Sequence, residues 1–511
     1  MAMQFFLSTQ PEHRRFQNPF LLRANLRVGL LLAGLILPAA VTAQSALQKA
    51  MHDLTADPSL RYAGVGVCVT DVASNRVIAS HQASLSLIPA STLKLLSTAT
   101  ALAVLGPGYR FLTQLEYDGA LNGKVLEGNL YLTGYGDPTL GSPQLKGAMD
   151  MDAILAKFRD AILAKNIRTI KGYVVGDGSY FSTAANASSW AWNDLGNYYA
   201  SGAWGLNFHE NLYYLRFQRT AGVGATPRIA IIEPEVSGLE FINEVKQAPA
   251  GTGDNAYIFG APYTTFRFVR GTIPAGSGYF SIKGSLPDPP YFAAYHLDQY
   301  LAKAGVQTAK GPLSQLQLPP DQSHSKKREV LFRHYSPPLK DIIREAHYES
   351  VNLYCESLLK LLGKKQKGEG STEAGLQFVQ DFWMKKGLRF DGCFLADGSG
   401  LSSRNAVTAE FMAGFLAKVG RDDKLYPIFA ESLATAGRSG NLANKFRGTA
   451  AEGKLRAKSG SFERVRAYAG YATTAAGRTV AFSIIVNNYT GDGNAIRQKM
   501  ERFMQALCEI K

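Results

Sequence analysis

The alternation of apolar and polar residues in the first part of the chain predicts a hairpin followed by a buried helix. Residues 63–71 and 76–80 are β-type runs on either side of a short polar turn. The next segment, Ile88 to Leu105, is mostly apolar and ends at a Gly-Pro-Gly helix breaker. Alternation returns over residues 110–132, where we expect antiparallel strands.

The middle of the chain has a different pattern. Residues 152–165 have helical periodicity, and residues 169–175 predict a strand. From residue 181 to residue 290, short β-type runs alternate with segments rich in glycine and tyrosine, and no long helical pattern is present. We therefore expect a β-rich region inserted between the first helix and the helices that follow Pro338.

The C-terminal part predicts helices first, and then strands with one last helix. The predicted helices are residues 339–347, 353–362, 372–386 and 408–418. The predicted strands are residues 453–459, 466–473 and 480–487. Residues 494–508 are amphipathic and charged, so they predict a helix packed on this sheet instead of a membrane span.

The first 43 residues have the layout of a secretory signal peptide. Four arginines precede a ten-residue apolar run, Val28 to Leu37, and small residues through Ala43 follow a proline. Because ten apolar residues are short for a bilayer, we expect cleavage after Ala43 and no transmembrane anchor. The mature chain is then periplasmic or otherwise exported to the cell envelope.

Composition and charge narrow the classes of partner. The 511-residue chain is 46% hydrophobic, which is typical of a globular protein of several domains, and its net charge is +14. The basic residues are scattered, and an exported chain meets anionic envelope polymers, so we expect no nucleic acid and at most peripheral envelope association. The sequence leaves the oligomeric state open.

The four cysteines are too few and too scattered for a disulfide framework or a metal site. Cys68 and Cys355 lie in apolar surroundings and read as buried thiols, although one disulfide stays open in an oxidising compartment. The metal-binding His-Glu-x-x-His pattern is also absent from the sequence. We expect neither a metal nor a cofactor.

The candidate chemistry begins at Ser91 and Lys94. Their spacing places both side chains on one face of the predicted helix. A serine hydroxyl needs a base, and a lysine shielded from water has a pKa low enough to serve as that base. Taken alone, such a pair in a basic chain is mostly a chance match on a solvated helix.

Two further motifs follow in the order that the penicillin-recognising Ser-Lys enzymes use. Ser350-Val-Asn352 lies between two predicted helices, and Lys458-Ser459-Gly460 lies near the end of a predicted strand. Each motif is weak alone. Together with Ser91-x-x-Lys94, each in its expected structural context, they predict one acyl-transfer site.

More of the chain resembles one family. The resemblance rests on the long gap between Ser91 and Ser350 and on several further motifs. These motifs are Gly136-Asp-Pro-Thr-Leu140, Gly176-Asp-Gly-Ser179 with Phe181, His334-Tyr-Ser-Pro-Pro-Leu339, Asn352-Leu-Tyr354 and Asp397-Gly-Ser-Gly-Leu-Ser402. Over nearly all of the mature chain it resembles the class C low-molecular-mass penicillin-binding proteins. These are the D-alanyl-D-alanine carboxypeptidases and endopeptidases of the S13 peptidase type.

The resemblance implies a fold and a division into domains. The fold is an α/β (α+β) catalytic domain of the β-lactamase/DD-peptidase type, formed from both ends of the chain, with two nested, smaller β-rich inserted domains. We place the catalytic domain at residues 44–108 and 321–511 and the inserted domains at residues 109–320. The inner insert is placed at about residues 181–288.

The resemblance also implies catalytic roles. Ser91 attacks the carbonyl between two D-alanines, or between a D-alanine and the diamino acid of a neighbouring stem peptide. Lys94 takes the serine proton, Ser350 relays it to the leaving amine, and Asn352 orients Lys94 and the substrate amide. Lys458 supplies positive charge near the substrate carboxylate. The expected partners are peptidoglycan peptides and β-lactam antibiotics.

Five further residues are implied as substrate contacts. Ser459 offers its hydroxyl to the substrate carboxylate, and Gly460 lets the strand approach the substrate backbone. The backbone N–H groups of Ser91 and Ser461 form the expected oxyanion hole. Asp177 matches a position that contacts the amino end of the peptide side chain, although Gly-Asp-Gly is also an ordinary turn. Arg404 comes one position later than the arginine common in the family.

Three rival functions need weighing. A Ser-His-Asp hydrolase built on His347 and Asp341 lacks a G-x-S-x-G elbow and leaves the motif lysines unexplained. A serine β-lactamase shares all three motifs, but no residue in the sequence is assignable as its water-activating group. A non-catalytic wall-binding protein of the same fold would have no need of the intact motifs.

Overall fold

The computed structural model describes residues 39–319 and 327–511. The predicted signal peptide therefore lies outside the described residues, except for residues 39–43, which begin the first helix. Within the described ranges, no helix has both the length and the apolar character needed to cross a membrane.

The α-helices include all those predicted from periodicity. They are α1 Ala39–Thr55, α2 Lys94–Leu105, α3 Met151–Ala164, α4 Trp192–Leu195, α5 Pro289–Lys303, α6 Leu339–Tyr348, α7 Asn352–Lys367, α8 Thr372–Lys385, α9 Ala409–Gly420, α10 Tyr426–Ser432 and α11 Gly493–Cys508. Helices α1, α4, α5 and α10 were not predicted.

The strands divide between the two ends of the chain and its middle. Those at the ends are β1 Gly64–Asp71, β2 Val77–His81, β19 Ala434–Thr435, β20 Leu455–Phe462, β21 Val465–Thr473 and β22 Thr479–Asn487. Those between are β3 Leu112–Tyr117, β4 Ala120–Asn122, β5 Val125–Glu127, β6 Leu130–Gly134, β7 Thr169–Ile170, β8 Val174–Asp177, β9 Leu212–Gln218, β10 Arg228–Glu233, β11 Glu240–Asn243, β12 Lys246–Ala248, β13 Asn255–Phe259, β14 Phe266–Pro274, β15 Tyr279–Ser285, β16 Gln307–Thr308, β17 Pro312–Ser314 and β18 Glu329–Tyr335.

One six-stranded sheet joins the two ends of the chain, in the order β19-β20-β21-β22-β1-β2. The predicted hairpin is confirmed, since β1 and β2 are antiparallel neighbours. The other side of β1 pairs with β22 along its whole length, from Gly64 opposite Asn487 to Asp71 opposite Val480. The sheet therefore confirms a catalytic domain built from both ends of the chain.

Both faces of this sheet are buried. On β22, Phe482 and Ile484 join the core formed with α1 and α11. Ala481 and Ile485, which flank this pair and face the other side of the sheet, join the core formed with α2, α7 and α9. This is the alternation of a strand covered by helices on both faces. The prediction that the last helix packs on the sheet is confirmed.

The inserted part forms sheets of its own. A five-stranded sheet has the order β17-β8-β6-β3-β18, and β18 pairs antiparallel with β3. Because β18 ends at Tyr335, we propose that the insert ends there instead of at residue 320. Strands β9 to β15 form two separate sheets, which supports an inner domain within residues 181–288.

The prediction of one strand over residues 169–175 was wrong. The segment divides at Gly172 into β7 and β8, which belong to different sheets. A Cβ atom at Gly172 would lie 2.1 Å from Asn129 Oδ1 and 2.4 Å from the Gly128 carbonyl oxygen. The chain has to change direction where another segment crosses it, and only glycine leaves room.

All four cysteines are buried free thiols. Burial raises the pKa of Cys68 to about 11 and that of Cys355 to about 12. Protonated thiols of this kind are unreactive and pack as small apolar groups.

Candidate active site

Ser91 lies on a 3-10 turn, Ala90–Leu93, that leads directly into α2. Ala90 has a φ of +46°, a left-handed conformation that costs an alanine energy and needs support from its surroundings. Part of that support comes from the last strand, because Ile88 N donates to Asn487 Oδ1 at 2.7 Å and Asn487 Nδ2 donates to the Ile88 carbonyl at 3.1 Å. The nucleophile is therefore held by both ends of the chain.

Lys94 contacts Ser91 as its spacing predicts. Its Nζ donates to Ser91 Oγ at 2.9 Å, to Asn352 Oδ1 at 2.5 Å and to the Ser399 carbonyl at 2.8 Å. These three contacts fix the position of the nitrogen atom. In the neutral amine, two N–H groups remain for Asn352 and Ser399, and the lone pair accepts from the Ser91 hydroxyl. The first two motifs therefore meet at one nitrogen atom.

The surroundings of Lys94 favour its neutral form. The side chain is completely buried, and this burial lowers the pKa of its ammonium group below the ordinary value. The nearby carboxylates of Asp397 and Glu356 oppose that shift. A buried amine 2.9 Å from a serine hydroxyl has the geometry of a general base.

Ser350 and Lys458 form the second half of the centre. Ser350 lies between α6 and α7 with a φ of +60°, and its Oγ accepts a hydrogen bond from Lys458 Nζ at 2.9 Å. Lys458 is also wholly buried, and burial, with the charge of Lys94, lowers its pKa well below the ordinary value. The structure thus joins the second and third motifs through this hydroxyl.

Strand β20 carries the third motif along an open edge. Its short neighbour β19 pairs only with Arg456 and Ala457, so residues 458–462 have no strand partner on that side among the described residues. A Cβ atom at Gly460 would lie 2.8 Å from both Ser91 N and the Pro89 carbonyl oxygen. The strand therefore passes directly beside the nucleophile, with room for an extended peptide along its edge.

Asn441, which the sequence did not single out, contacts this edge. Its Nδ2 donates to Ser459 Oγ at 2.6 Å, which orients the hydroxyl and leaves its proton free. Ser461 follows with an exposed side chain. It directly follows Gly460, which lies beside Ser91 N. The oxyanion hole of the Ser91 and Ser461 N–H groups stays a prediction.

Two carboxylates lie on the buried side of Lys94. Glu356 accepts from the backbone N–H groups of Gly398 and Ser399 at 3.0 and 2.7 Å. Asp397 accepts from Gly400 N, Ser402 N and Asn405 Nδ2 at 2.6 to 2.9 Å. Both carboxylates are buried, at 2% and 1% exposure, and they face the backbone N–H groups of residues 398–402. Neither is therefore placed to activate water at Ser91.

The insert contacts the centre directly. The backbone carbonyl of Tyr199 accepts from Asn352 Nδ2 at 2.7 Å, and Trp190 Nε1 donates to Asp397 Oδ2 at 2.8 Å. Sequence reasoning did not identify either contact, because a carbonyl has no sequence signature. The same segment carries Asp194, whose Oδ1 accepts from the Tyr199 hydroxyl at 3.0 Å.

Two predicted substrate contacts lie outside this network. Asp177 is buried in β8, where Oδ2 accepts from Arg328 Nη1 at 2.7 Å and Oδ1 accepts from Ser179 N at 3.0 Å. With both oxygens bonded inside the insert, Asp177 does not fit a contact for a substrate amine. Arg404 lies exposed in a turn, and the structure does not bring it into the hydrogen-bond network of Ser91.

His347, the histidine of the rival Ser-His-Asp hypothesis, is a structural residue. One ring nitrogen lies 2.9 Å from Thr98 Oγ1 and the other lies 2.9 Å from Ser432 Oγ. Burial, with the charges of Lys458 and Lys94, lowers its pKa to about 3. The ring is therefore neutral and already bonded on both sides, which rules it out as the base of this site.

The known proteins that this chain resembles are D-alanyl-D-alanine carboxypeptidases. The model of the D-Ala-D-Ala carboxypeptidase 3 (S13) family matches residues 47–507. The D-alanyl-D-alanine carboxypeptidase of Actinomadura sp. (strain R39) is 31% identical over 456 residues, which cover 87% of this chain and 81% of the relative. The D-alanyl-D-alanine carboxypeptidase DacB of Haemophilus influenzae is 27% identical over 437 residues, which cover 84% of this chain and 86% of the relative.

A solved structure is similar over the same length. The crystal structure of penicillin binding protein 4 from Haemophilus influenzae has a TM-score of 0.74 and 26% sequence identity. The match covers 89% of this chain and 97% of that protein. The similarity therefore includes the inserted sheets as well as the catalytic domain.

Proposed function

The chain belongs to the D-Ala-D-Ala carboxypeptidase S13 family, and we propose that Ser91 is the nucleophile with which it cleaves D-alanyl peptide bonds of peptidoglycan. The observation that carries this assignment is the 2.9 Å hydrogen bond between Ser91 Oγ and the wholly buried Lys94. The protein is a serine-type D-Ala-D-Ala carboxypeptidase that is acylated by penicillins. Cleavage of stem-peptide cross-links is the corresponding endopeptidase reaction.

Acylation begins with proton transfer from Ser91 Oγ to the neutral Lys94 amine while Oγ bonds to the carbonyl carbon. The carbonyl oxygen takes the negative charge beside the Ser91 and Ser461 N–H groups. When the C–N bond breaks, the Ser350 hydroxyl passes a proton to the leaving amine and takes one from Lys458, which donates to it at 2.9 Å. In hydrolysis, water returns a proton to Lys458 through Ser350 while its oxygen bonds to the ester carbon. Lys94 then gives its proton back to Ser91 Oγ, which leaves as the regenerated serine.

The substrate carboxylate is assigned to the end of β20. A carboxylate bound there stabilises the protonated form of Lys458, whose pKa burial otherwise lowers. Ser459 donates the hydroxyl proton that Asn441 leaves free. The unpaired edge of β20 provides backbone groups for the peptide, which then binds as an added strand. Gly460 is required there because any side chain would collide with the Ser91 turn.

The function is tested with two substrates and one inhibitor. We expect the purified protein to release D-alanine from pentapeptide stems or to split cross-linked muropeptides, and to form a long-lived ester with a labelled penicillin. Because Glu356 and Asp397 are buried and bonded to backbone N–H groups, neither is placed to activate water, and we expect slow ester hydrolysis. Fast turnover of penicillin would instead indicate a β-lactamase, and no adduct at all would refute the acyl-transfer site.

The location of the enzyme follows from its substrate. Peptidoglycan lies outside the cytoplasmic membrane, and residues 1–43 have the layout of a signal peptide. We therefore place the mature enzyme in the periplasm or an equivalent envelope space. N-terminal sequencing of the exported protein should begin at Gln44, and an unprocessed N-terminus would contradict this placement.

Asp194 replaces Asp177 as the candidate contact for the amino group of the stem-peptide side chain. Burial raises the pKa of Asp194, and its described side-chain partner is the neutral hydroxyl of Tyr199. The backbone carbonyl of Tyr199 accepts from Asn352, so Asp194 lies next to a residue that contacts the catalytic centre. A substrate cation bound beside this half-buried carboxylate would stabilise its charged form.

Asp194→Asn should lower kcat/KM for peptides with a free side-chain amine by about 10- to 100-fold, the range for a hydrogen bond to a charged group. Acetylation of that amine should cost the wild type a similar factor and cost Asp194→Asn little. Asp177→Asn serves as the matched variant and should keep the wild-type preference for the free amine. Equal loss on free and acetylated peptides would remove Asp194 from this role.

A further inference from the structure

One buried face of α7 carries three polar side chains at intervals of four residues. Asn352, Glu356 and Lys360 are one helical turn apart, so they lie above one another along the helix. Asn352 meets Lys94, as described above. Glu356 and Lys360 are both buried, at 2% and 0% exposure, and neither belongs to a catalytic motif. We call these three residues the polar face of α7.

Each member of the polar face bonds a different segment next to the catalytic centre. Glu356 fixes the backbone of Gly398 and Ser399, and the Ser399 carbonyl in turn accepts from Lys94. Asn352 bonds the Tyr199 carbonyl of the insert. One rigid helix thus sets the relative positions of the catalytic lysine and two loops.

Lys360 binds the insert through backbone atoms alone. Its Nζ donates to the carbonyl oxygens of Ala184, Ala185 and Ala203 at 2.7, 3.0 and 2.9 Å. These bonds use all three ammonium donors, and the side chain has no carboxylate as a direct partner. Loss of the ammonium group leaves the Ala184 and Ala203 carbonyl oxygens without the donor described for them, whereas the Ala185 carbonyl keeps the N–H of Ala203 at 3.0 Å.

The carbonyls lie at the two ends of the segment that contacts the catalytic centre. Residues 184 and 203 enclose Trp190, which bonds Asp397, and Tyr199, which bonds Asn352. Asp194 lies between them. A displacement of the segment ends therefore moves all three of these groups relative to Ser91, although the Ser91–Lys94 pair itself has other supports.

We infer that Lys360 is a positioning residue, which holds the insert segment 184–203 against α7 and so sets where the enzyme meets the peptide part of its substrate. The inference rests on the proposed function. Penicillin is a small acylating agent that reports on Ser91 and Lys94, whereas a stem peptide also needs the insert segment. Loss of Lys360 should therefore separate the two reactions.

The test compares peptide cleavage with penicillin acylation in Lys360→Met, which keeps the length of the side chain and removes its charge. We expect kcat/KM for stem peptide to fall at least about 10-fold, mainly through KM, while the penicillin acylation rate stays within about 3-fold of the wild type. Lys360→Arg should recover part of the peptide activity. Lys385→Met, at an exposed position on the neighbouring helix α8, should change neither reaction.

Trp190→Phe provides a second route if Lys360→Met folds poorly, since it removes only the indole N–H bond to Asp397 at the same segment. It should show the same selective loss on peptide. Unchanged peptide cleavage in both variants, or equal loss in both reactions, would overturn the inference. The wild-type enzyme is measured first, because its failure to form an adduct would count against the proposed function instead.

Discussion

Replacement of Ser91 with alanine should abolish the covalent penicillin adduct and lower peptide cleavage by at least about 10³-fold, as loss of a catalytic nucleophile does elsewhere. The physical reason is that no other described hydroxyl lies within hydrogen-bond distance of Lys94 Nζ. Ser350 is close but is bonded by Lys458. Intact-mass spectrometry after incubation with penicillin measures the adduct directly.

Ser403→Ala is the matched control for Ser91→Ala, because Ser403 is an exposed serine in a turn of the same domain. It should form the adduct at the wild-type rate. The Ser91→Ala protein should also keep its melting temperature within a few degrees, since the lost side chain is small. A persistent adduct in Ser91→Ala would place the nucleophile elsewhere.

Replacement of Lys94 with methionine should slow acylation by about 10²- to 10⁴-fold, the range for loss of a general base. Methionine fills the buried space, so the loss reports the missing amine and not a cavity. Stopped-flow measurement of acylation with a chromogenic β-lactam gives the rate constant. Lys454→Met, at the exposed lysine directly before β20, should leave the rate unchanged.

The pH dependence of acylation follows from the same amine. Lys94 acts as a base only when it is unprotonated, and burial lowers its pKa below the ordinary lysine value. The wild-type rate should therefore rise with pH through that lowered pKa and then level off, and it should reach this plateau below the pH at which an exposed lysine titrates. Lys94→Met should lose this rise, and a profile identical to that of the wild type would exclude Lys94 as the base.

The catalytic motifs could be predicted from sequence because their chemistry demands particular side chains at short range. Ser91 and Lys94 meet through helix spacing, and Ser350 and Asn352 mark the start of α7. The order of the motifs predicted that their side chains meet in one site. In the structure, the pairing of β1 with β22 brings the two ends of the chain together there. Helical periodicity and runs of β-type residues likewise predicted most elements of the catalytic domain, although both faces of its sheet are buried.

Long-range and backbone contacts could not be predicted in this way. Asp177 resembled a substrate contact, but its partner Arg328 comes from a segment 151 residues away. The Tyr199 carbonyl and the three carbonyls around Lys360 are backbone atoms, which any residue type supplies. Their positions depend on how the insert packs against α7, and no local pattern records that packing.

Helix α5 was missed although the sequence at its start has a typical helix signal. Helix α5 begins at Asp288-Pro-Pro, with Asp288 Oδ1 accepting from Tyr291 N at 2.9 Å. This is a typical N-cap followed by proline in the first turn. The surrounding β-type runs concealed it, since the segment before it is rich in glycine and tyrosine.

The pairing of β1 with β22 also determines when activity can arise during biosynthesis. Ile88, three residues before the nucleophile, is bonded to Asn487, 399 residues later in the chain. Domains fold as units, and contacts between distant segments form slowly because a long loop must close first. A nascent chain therefore carries Ser91 without a working centre until its last strand has been made and paired. Peptidoglycan cleavage therefore has to wait until β22 has paired with β1.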